Sequence, residues 1–297
     1  MTEISTVDEL SLNQIQRNID RMPSLSVTVT KVLEVCDKPN TSPNDLNQII
    51  SLDPVLTGQV LKLINSAYYS LPNRVTSLTR AIIMLGLNTV KNLALSTAVL
   101  GSVGQEESFQ HLPIDLFWTH SLGTGVAAKT LAVHLGVSKL ELEEYFVGGL
   151  LHDLGKIPLS SCFGEKYKAA LDAVKNEHQP LHEAETRILG LNHLLVGQMI
   201  AEKWRLPDTI SDSLAHHHQP AAAAEKNRRL VTIVGLANIF ANKYEIGSAG
   251  ELYRKTAAET AILKALDLSW PALAALKGPV QEELENARVF LQVSGSA

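Results

Sequence analysis

Apolar residues recur three or four positions apart along nearly the whole chain, and this spacing constrains the fold more than any other feature. The segment from Leu46 to Ile64 is typical, because its apolar residues repeat at helical spacing on each side of Asp53-Pro54. Sustained alternation of apolar and polar residues, which would indicate strands, is absent from the sequence. The pattern predicts an all-α protein built from about a dozen short helices.

Capping residues and helix breakers mark where these helices start and stop. Ser42, Pro43 and Asp45 provide an N-cap hydroxyl, a first-turn proline and an acid at the third helical position. Ser138 with Glu141 predicts a capping box for the helix that carries the sequence GGLLHDLGKI. Breaks in the periodic runs are expected at Asp53-Pro54, Gly86, Leu206-Pro207 and Gln219-Pro220.

The composition argues against several classes of protein. The chain has 297 residues, of which 45% are hydrophobic, so it can bury the core of one large domain or two small ones. Its formal net charge of −5, with no basic stripe, argues against nucleic acid as a partner. Two cysteines without paired spacing, a polar opening and no apolar run near the roughly 18 residues of a membrane helix predict a cytoplasmic protein with no membrane partner.

Local composition divides the chain into three parts. Residues 100–108 lose apolar periodicity and gather Gly, Ser and acids, so the first boundary is expected there. A second weak point is Gly247-Ser248-Ala249-Gly250, followed by a tail of two further amphipathic helices in which we expect no chemistry. The predicted parts are an N-terminal helical part (1–105), a helical core that carries the histidines (106–245) and a C-terminal helical extension (246–297).

The ten histidines separate into two groups by their surroundings. A lone histidine is usually a surface residue or a hydrogen-bonded core residue, and we assign this ordinary role to His111, His134, His178 and His182. The others lie in or beside apolar helix faces, where an unpaired ionisable group would be costly. They are His120, His152 next to Asp153, His193 and the run His216-His217-His218.

A shared metal site would satisfy these buried groups. Neutral imidazoles and a carboxylate suit divalent transition metals, and helices of one bundle can each contribute ligands from their inner faces. Asp153 could bridge two ions, and its neighbour His152 could face the same centre if a helix ends there. We therefore expect one pocket that contains His120, His152, Asp153, His193, His216 and His217. His218 is expected outside it, because three consecutive helical residues sweep about 200°.

The pair His152-Asp153, within the sequence HDLGKI (152–157), resembles the motif of the HD superfamily of metal-dependent phosphohydrolases. The fuller likeness, from about residue 15 to about residue 245, is to the HDOD domain, the HD-related output domain of bacterial signalling proteins. The resemblance implies a multi-helix HD-superfamily bundle with an N-terminal helical subdomain. The sequences that carry it in the N-terminal half are MPSL (22–25), LDPVLT (52–57), LINSAYY (63–69) and AIIMLG (81–86).

The family likeness also implies roles for individual residues. In HD proteins the first histidine and the HD pair hold a metal, which corresponds to His120, His152 and Asp153, and in two-metal relatives a second centre corresponds to His193, His216 and His217. Lys156 resembles the lysine that contacts substrate phosphate, so Asp153 and Lys156 are the candidate catalytic residues. The implied cofactor is one or two ions of Fe, Mn, Ni or Zn.

Two departures from the family pattern limit these roles. Asn238 stands where the last metal-binding aspartate is expected, and a neutral amide is a weaker ligand than a carboxylate. After LAHHHQP the sequence has no GYP motif, so hydrolysis of cyclic di-GMP is not supported.

Three functional interpretations stay open at this point. The first is a bacterial signal-transduction or regulatory protein with a retained metal site and an unidentified protein partner. The second is a metal-dependent phosphohydrolase that acts on a nucleotide, a cyclic nucleotide or another small molecule containing phosphate. The third is a hydrogen-bonded polar core without metal. Residues 15–100 contain no histidine, so they are expected to form either a protein-binding surface or ordinary core packing.

Overall fold

The computed structural model describes residues 8–103, 111–253 and 255–294, and this part of the chain is helical with no strand, which confirms the all-α prediction. The N-terminal helices are α1 (Glu9–Arg21), α2 (Val27–Cys36), α3 (Pro43–Ile50), α4 (Pro54–Ile64), α5 (Leu78–Leu85) and α6 (Leu87–Val103). The central helices are α7 (Ile114–His134), α8 (Leu142–Leu151), α9 (Lys156–Glu177), α10 (Leu181–Leu189), α11 (His193–Trp204), α12 (Asp208–His216) and α13 (Arg228–Lys243). The C-terminal helices are α14 (Thr256–Ala265), α15 (Trp270–Ala275), α16 (Lys277–Ala287) and α17 (Val289–Ser294).

The helix starts follow the capping chemistry at one predicted box and depart from it at the other. The Ser42 side chain accepts from the Asp45 backbone N–H, and the Asp45 carboxylate accepts from Ser42, so the first capping box is present. The prediction of the second capping box is wrong. Ser138 and Glu141 instead close a turn, in which the Glu141 N–H donates to the Ser138 carbonyl, and α8 starts only at Leu142.

Helices α7 and α8 form the centre of the molecule, where their backbones touch. A Cβ atom on Gly149 would lie 2.7 Å from both the Cα atom of Gly125 and the carbonyl oxygen of Thr124. Only a residue without a side chain allows this approach. Helices α13 and α16 pack against α7, while α12 and α13 pack against α8. The close pair thereby brings the middle of α7 next to the end of α8.

The first helix docks on the central helices rather than on its neighbours in sequence. The Gln14 amide donates to the Cys162 carbonyl in α9 at 2.8 Å. The Lys203 ammonium, near the end of α11, donates to the carbonyls of Asp20 and Met22 at 2.8 Å each. These are carbonyls at the C-terminal end of α1, where the helix itself provides no partners and a positive charge is favourable.

A cluster around Lys129 connects the N-terminal, central and C-terminal helices. The Lys129 ammonium lies 2.5 Å from Glu143 Oε1 and 3.0 Å from the Tyr68 hydroxyl. The Tyr68 ring packs against Phe146 in α8 and Phe290 in α17, with centroid distances of 5.4 and 5.2 Å. A continuous core of buried apolar side chains thus extends from α1 to α17, beside a smaller cluster between α9 and α10.

The division at residues 105 and 245 stays a prediction, and residues 104–108 of the first expected boundary lie outside the described part of the chain. Among the described residues, no single helix is both long and apolar enough to cross a membrane. Helices α5 and α6 reach that length and composition only as a pair, and the pair bends by 117°.

The contact between α7 and α8 predicts the effect of a single methyl group. Gly149→Ala should lower the free energy of unfolding by about 3 kcal/mol, because backbone atoms that surround the new Cβ cannot move aside without displacing a helix. The control is Gly58→Ala in α4, where a Cβ atom would meet nothing within 4 Å. This change should stabilise the protein by about 0.5–1 kcal/mol. Chemical denaturation measures both, and equal stability of the two variants would contradict the close contact.

Candidate metal centre

The pair His152-Asp153 lies at the point where α8 ends. His152 follows the last residue of α8, and a short turn leads through Asp153 to Lys156, the first residue of α9. In this turn His152 Nε2 lies 3.2 Å from Asp153 Oδ2, and both side chains are fully buried. The expectation that an adjacent pair can converge at a helix end is therefore confirmed.

Three further histidines approach Asp153 from different helices. His120 comes from α7, His193 is the first residue of α11, and His217 follows the last residue of α12. His120 Nε2 lies 3.7 Å from Asp153 Oδ2. On the other side, the Nε2 atoms of His193 and His217 lie 3.7 and 3.6 Å from Asp153 Oδ1. The two carboxylate oxygens thus face two separate pairs of imidazoles.

The hydrogen bonds of three histidines determine which ring nitrogen is available. The Nδ1 atoms lie 2.7 Å from the Gly149 carbonyl for His152, 2.9 Å from the Ser213 carbonyl for His217 and 2.6 Å from Glu185 Oε2 for His193. Carbonyls and carboxylates only accept, so each Nδ1 carries the proton and donates it. In a neutral ring, the Nε2 lone pair then points toward Asp153. Histidines that bind metals in proteins are held in this way.

Buried atoms without hydrogen-bond partners lie where the imidazoles meet the carboxylate. Asp153 Oδ1, His152 Nε2 and His217 Nε2 are buried and make no hydrogen bond with any described residue. The lone pairs of Asp153 Oδ1 repel the Nε2 lone pairs of the imidazoles that face it. A cation placed between these atoms would instead attract all of them. Tetrahedral ligands around zinc lie about 3.3 Å from each other. The separations of 3.6 and 3.7 Å from Asp153 Oδ1 are close to this value, so the donor set fits a divalent transition metal.

The two oxygens of Asp153 have neighbours of different charge: the Lys156 ammonium lies at Oδ2, and the His217 imidazole lies at Oδ1. Burial alone would raise the pKa of Asp153, but its cationic surroundings, with the Lys156 ammonium among them, bring this pKa well below its usual range, so the carboxylate is ionised. The Lys156 ammonium, itself fully buried, donates to Asp153 Oδ2 at 2.8 Å and to the Ala249 carbonyl at 3.1 Å. Burial and the neighbouring His218 lower the pKa of His217 well below its usual range, which keeps this imidazole neutral.

The predicted positions of His216 and His218 were exchanged. His216 is half-buried at the end of α12, and no group of potential metal ligands among the described residues includes it. His218 is buried, and its Nε2 lies 3.2 Å from His193 Nε2. The helical argument for excluding His218 was wrong because α12 ends at His216, so the next two residues lie in a turn and are not held to helical spacing. His193, His217 and His218 form one group of potential ligands.

One acidic residue near the centre, Glu251, was missed from the sequence. Glu251 lies 3.4 Å from His218 Nε2 and 3.8 Å from Lys156 Nζ, although it was not among the predicted site residues. Gly247 explains how this segment reaches the centre. Its φ is +61°, and a Cβ there would lie 2.3 Å from the His120 backbone nitrogen. The glycines that suggested a weak point therefore permit close packing on α7, and Glu251 follows them directly.

Asn238 is buried in α13, the helix that packs against both α7 and α8. Its Oδ1 accepts from the Asn242 amide at 2.6 Å, and its Nδ2 is buried without a hydrogen-bond partner among the described residues. An amide at this position adds no negative charge to the centre, and its role as a weak ligand stays a prediction.

Comparison with known protein families matches residues 22–220 to the HDOD domain. The chain belongs to the HDOD family. This assignment confirms the resemblance carried by the HD pair and by the N-terminal sequences. An uncharacterized protein of Treponema pallidum (strain Nichols) is 27% identical over 237 residues, which make up 80% of this chain and 45% of that protein. The HDOD chain thus spans less than half the length of this relative.

Solved structures of low sequence identity share the fold. An HDOD domain protein of unknown function from Geobacter sulfurreducens has a TM-score of 0.72 and 23% identity, covering 95% of this chain and 98% of that one. A Shewanella amazonensis SB2B protein described as "Putative phosphohydrolase" has a TM-score of 0.66 and 22% identity, covering 92% and 98%. A Marinobacter aquaeolei VT8 protein described as "Putative signal transduction protein" has a TM-score of 0.70 and 19% identity, covering 99% and 68%.

The shared carboxylate predicts a rank order for metal loss. Asp153→Ala should remove metal more completely than alanine at His120, His152, His193, His217 or His218, because only Asp153 faces every imidazole pair and supplies a charge. His216→Ala is the matched control and should retain the metal content of the parent. Elemental analysis of tag-free protein measures both. Equal metal in Asp153→Ala and His193→Ala would contradict the shared role.

Asn238→Asp tests the missing carboxylate. A carboxylate in place of the amide adds a negative charge that attracts a divalent ion, so metal stoichiometry should rise toward two ions per chain. The same change should raise any phosphohydrolase rate. Asn13→Asp, on the exposed face of α1, is the control for added charge alone. Unchanged metal content in Asn238→Asp would show that Asn238 lies away from the ions or that they bind without its help.

Proposed function

We propose that this HDOD protein is a bacterial signal-transduction or regulatory protein that holds a divalent metal as part of its helical core. One observation carries the proposal. Asp153 Oδ1 is buried without a hydrogen-bond partner among the described residues and faces His193 and His217, while Lys156 binds Oδ2 of the same carboxylate. Oδ1 of Asp153 is thus open to a cation, whereas Oδ2 already binds the Lys156 ammonium.

The proposed ligands of the first ion are Asp153 Oδ1, His193, His217 and His218. Three imidazoles and a carboxylate suit Fe, Mn, Ni or Zn. The first three ligands come from the end of α8 and from the start of α11 and the end of α12, so an ion would connect three helices. Binding at 100 times the dissociation constant would stabilise the folded protein by about 2.7 kcal/mol.

The second group of potential ligands, His120, His152 and Asp153, is less suited to an ion. Its carboxylate oxygen, Oδ2, accepts from Lys156 at 2.8 Å, and an ammonium there repels a metal ion. Asn238 adds no charge where the family has an aspartate. Two-metal hydrolysis needs both positions filled, so this pair of features favours a regulatory role over turnover.

The proposed signal passes from the centre to the N-terminal helices through α8. His152 directly follows α8, and near the start of this helix Glu143 binds Lys129, which in turn contacts Tyr68. On the N-terminal helices Val55 and Ile83 are about two thirds exposed, with relative accessibilities of 69% and 68%. We propose that a protein partner binds these helices. The description of the Marinobacter relative as a signal-transduction protein agrees with this role.

A second candidate function is metal-dependent phosphohydrolysis of a nucleotide or another phosphate-containing small molecule. It is favoured by the two groups of potential ligands around one carboxylate and by Lys156 beside them. The Shewanella relatives described as "Putative phosphohydrolase" and "Putative metal-dependent phosphohydrolase" agree with it. In this function the metal would supply a nucleophile from bound water. Asp153 would hold the ion, and Lys156 would orient the phosphate by its charge.

The two functions differ in what metal addition changes. Tag-free protein is stripped with chelator, reloaded with Mn, Fe, Ni or Zn, and assayed for thermal unfolding, for hydrogen exchange and for hydrolysis of nucleotides and generic phosphodiesters. For a regulatory protein we expect a higher unfolding temperature, slower exchange in α4–α6, and no hydrolysis above that of Asp153→Ala. Metal-dependent hydrolysis that Lys156→Ala abolishes would overturn the regulatory proposal in favour of the enzyme.

The route to the N-terminal helices has its own test. The double variant Lys129→Met/Glu143→Gln removes both charges of this pair together, so neither is left unpaired. It should bind metal like the parent, but metal should no longer slow hydrogen exchange in α4–α6. Lys139→Met, an exposed lysine on the neighbouring turn, is the control and should keep that change. An unaltered exchange response in the double variant would show that the signal takes another path.

A further inference from the structure

We propose that His182, His218 and Glu251 form a separate binding site for a divalent transition metal, outside the centre at Asp153. We call this group the outer site and the group of Asp153, His193, His217 and His218 the inner centre. The potential ligand atoms of the outer site all lie within 4.8 Å of one another. Neither Asp153 nor Lys156 is among them, so the outer site can be tested apart from the proposed function.

Three separate segments build the outer site. His182 lies in the first turn of α10, His218 follows α12, and Glu251 lies between α13 and α14. The rings of His182 and His218 stack with their centroids 4.4 Å apart and their planes 23° apart. Glu251 Oε2 lies 3.4 Å from His218 Nε2. Two imidazoles and a carboxylate are a common ligand set for zinc and similar ions.

The surroundings of the outer site favour a cation. A cavity of about 150 Å³ lies beside it, with space for an ion and several waters. Its lining includes the carboxylates of Glu183, Glu251 and Glu259 and one ammonium, that of Lys255. Lys255 binds Glu183 at 2.6 Å, so its charge is directed away from Glu251. A lining with more carboxylates than ammonium groups attracts metal ions and repels phosphate.

Two observations separate the outer site from the inner centre. The Lys156 ammonium is 3.8 Å from Glu251 Oε2 but 2.8 Å from Asp153 Oδ2, so its shorter contact is with the inner carboxylate. His182 is partly accessible, with 17% of its side chain exposed, whereas the side chains of Asp153, His193 and His217 are fully buried. An ion from solvent therefore meets the outer site first.

His218 makes the two positions compete. Its Nε2 lies 3.2 Å from His193 Nε2 and 3.4 Å from Glu251 Oε2, so one nitrogen faces both groups. An imidazole nitrogen has a single lone pair and coordinates one ion at a time. An ion in the outer site therefore weakens the inner set by one ligand. In the parent protein the outer ion should bind after the inner one and more weakly.

The test is a cobalt titration of chelator-stripped, tag-free protein, followed by the visible absorption of bound Co²⁺. In the unchanged chain we expect a tight phase and a weaker one. His182→Gln should remove the weaker phase, with an affinity loss of at least about 100-fold, because a supporting residue alone costs 10- to 100-fold. His134→Gln, an exposed histidine at the far end of α7, is the matched control and should keep both phases.

A second pair of variants separates the two proposals. Asp153→Asn should lose the tight phase but still bind cobalt at the outer site, and Asp153→Asn/His182→Gln should bind none. If Asp153→Asn is folded and binds no cobalt, or if His182→Gln titrates like His134→Gln, the outer site is overturned. If Asp153→Asn instead keeps the tight phase, the inner centre is contradicted. The outer site is then tested by the His182→Gln titration alone.

Discussion

The buried carboxylate of Asp153 is the constraint on which the rest of the structure depends. A charge with no access to water is costly unless it is compensated, and here one ammonium lies at Oδ2 while four imidazoles face the carboxylate and would compensate its charge through a bound cation. Three of these partners, His120, His193 and His217, must arrive from three other helices at distances below 4 Å. The order of the central helices, the turn after α8 and the packing of the segment around Gly247 all bring these partners to one carboxylate.

The two oxygens of this carboxylate have different neighbours, and that difference separates binding from catalysis. Lys156 compensates the charge at Oδ2, while Oδ1 faces imidazoles whose protons are held elsewhere by Ser213 and Glu185. A cation is favoured at Oδ1 and opposed at Oδ2. Under the proposed function, this arrangement would hold one ion at Oδ1 without the second position that hydrolysis requires, and that ion would connect helices.

The predictions from sequence succeeded where the signal was local and failed where distant segments meet. Helix formation, the Ser42 cap and the convergence of His152 with Asp153 follow from neighbouring residues, and all three were found. His216 and His218 were exchanged because the exact end of α12 depends on packing, and a shift of one residue turns a side chain by about 100°. Glu251 was missed because its importance comes from Gly247, whose contact with α7 joins segments more than 100 residues apart.

The sequence by itself determined that the chain is helical, that it belongs to the HDOD family, and that histidines and one aspartate occupy apolar surroundings, because periodicity, motifs and composition are properties of short stretches. Only the tertiary structure decided which nitrogen and oxygen atoms face each other, that Lys156 binds Asp153, and that His218 lies between His193 and Glu251. Such contacts depend on how close helices approach. That approach is governed by backbone contacts such as Gly125 with Gly149, which no local pattern specifies.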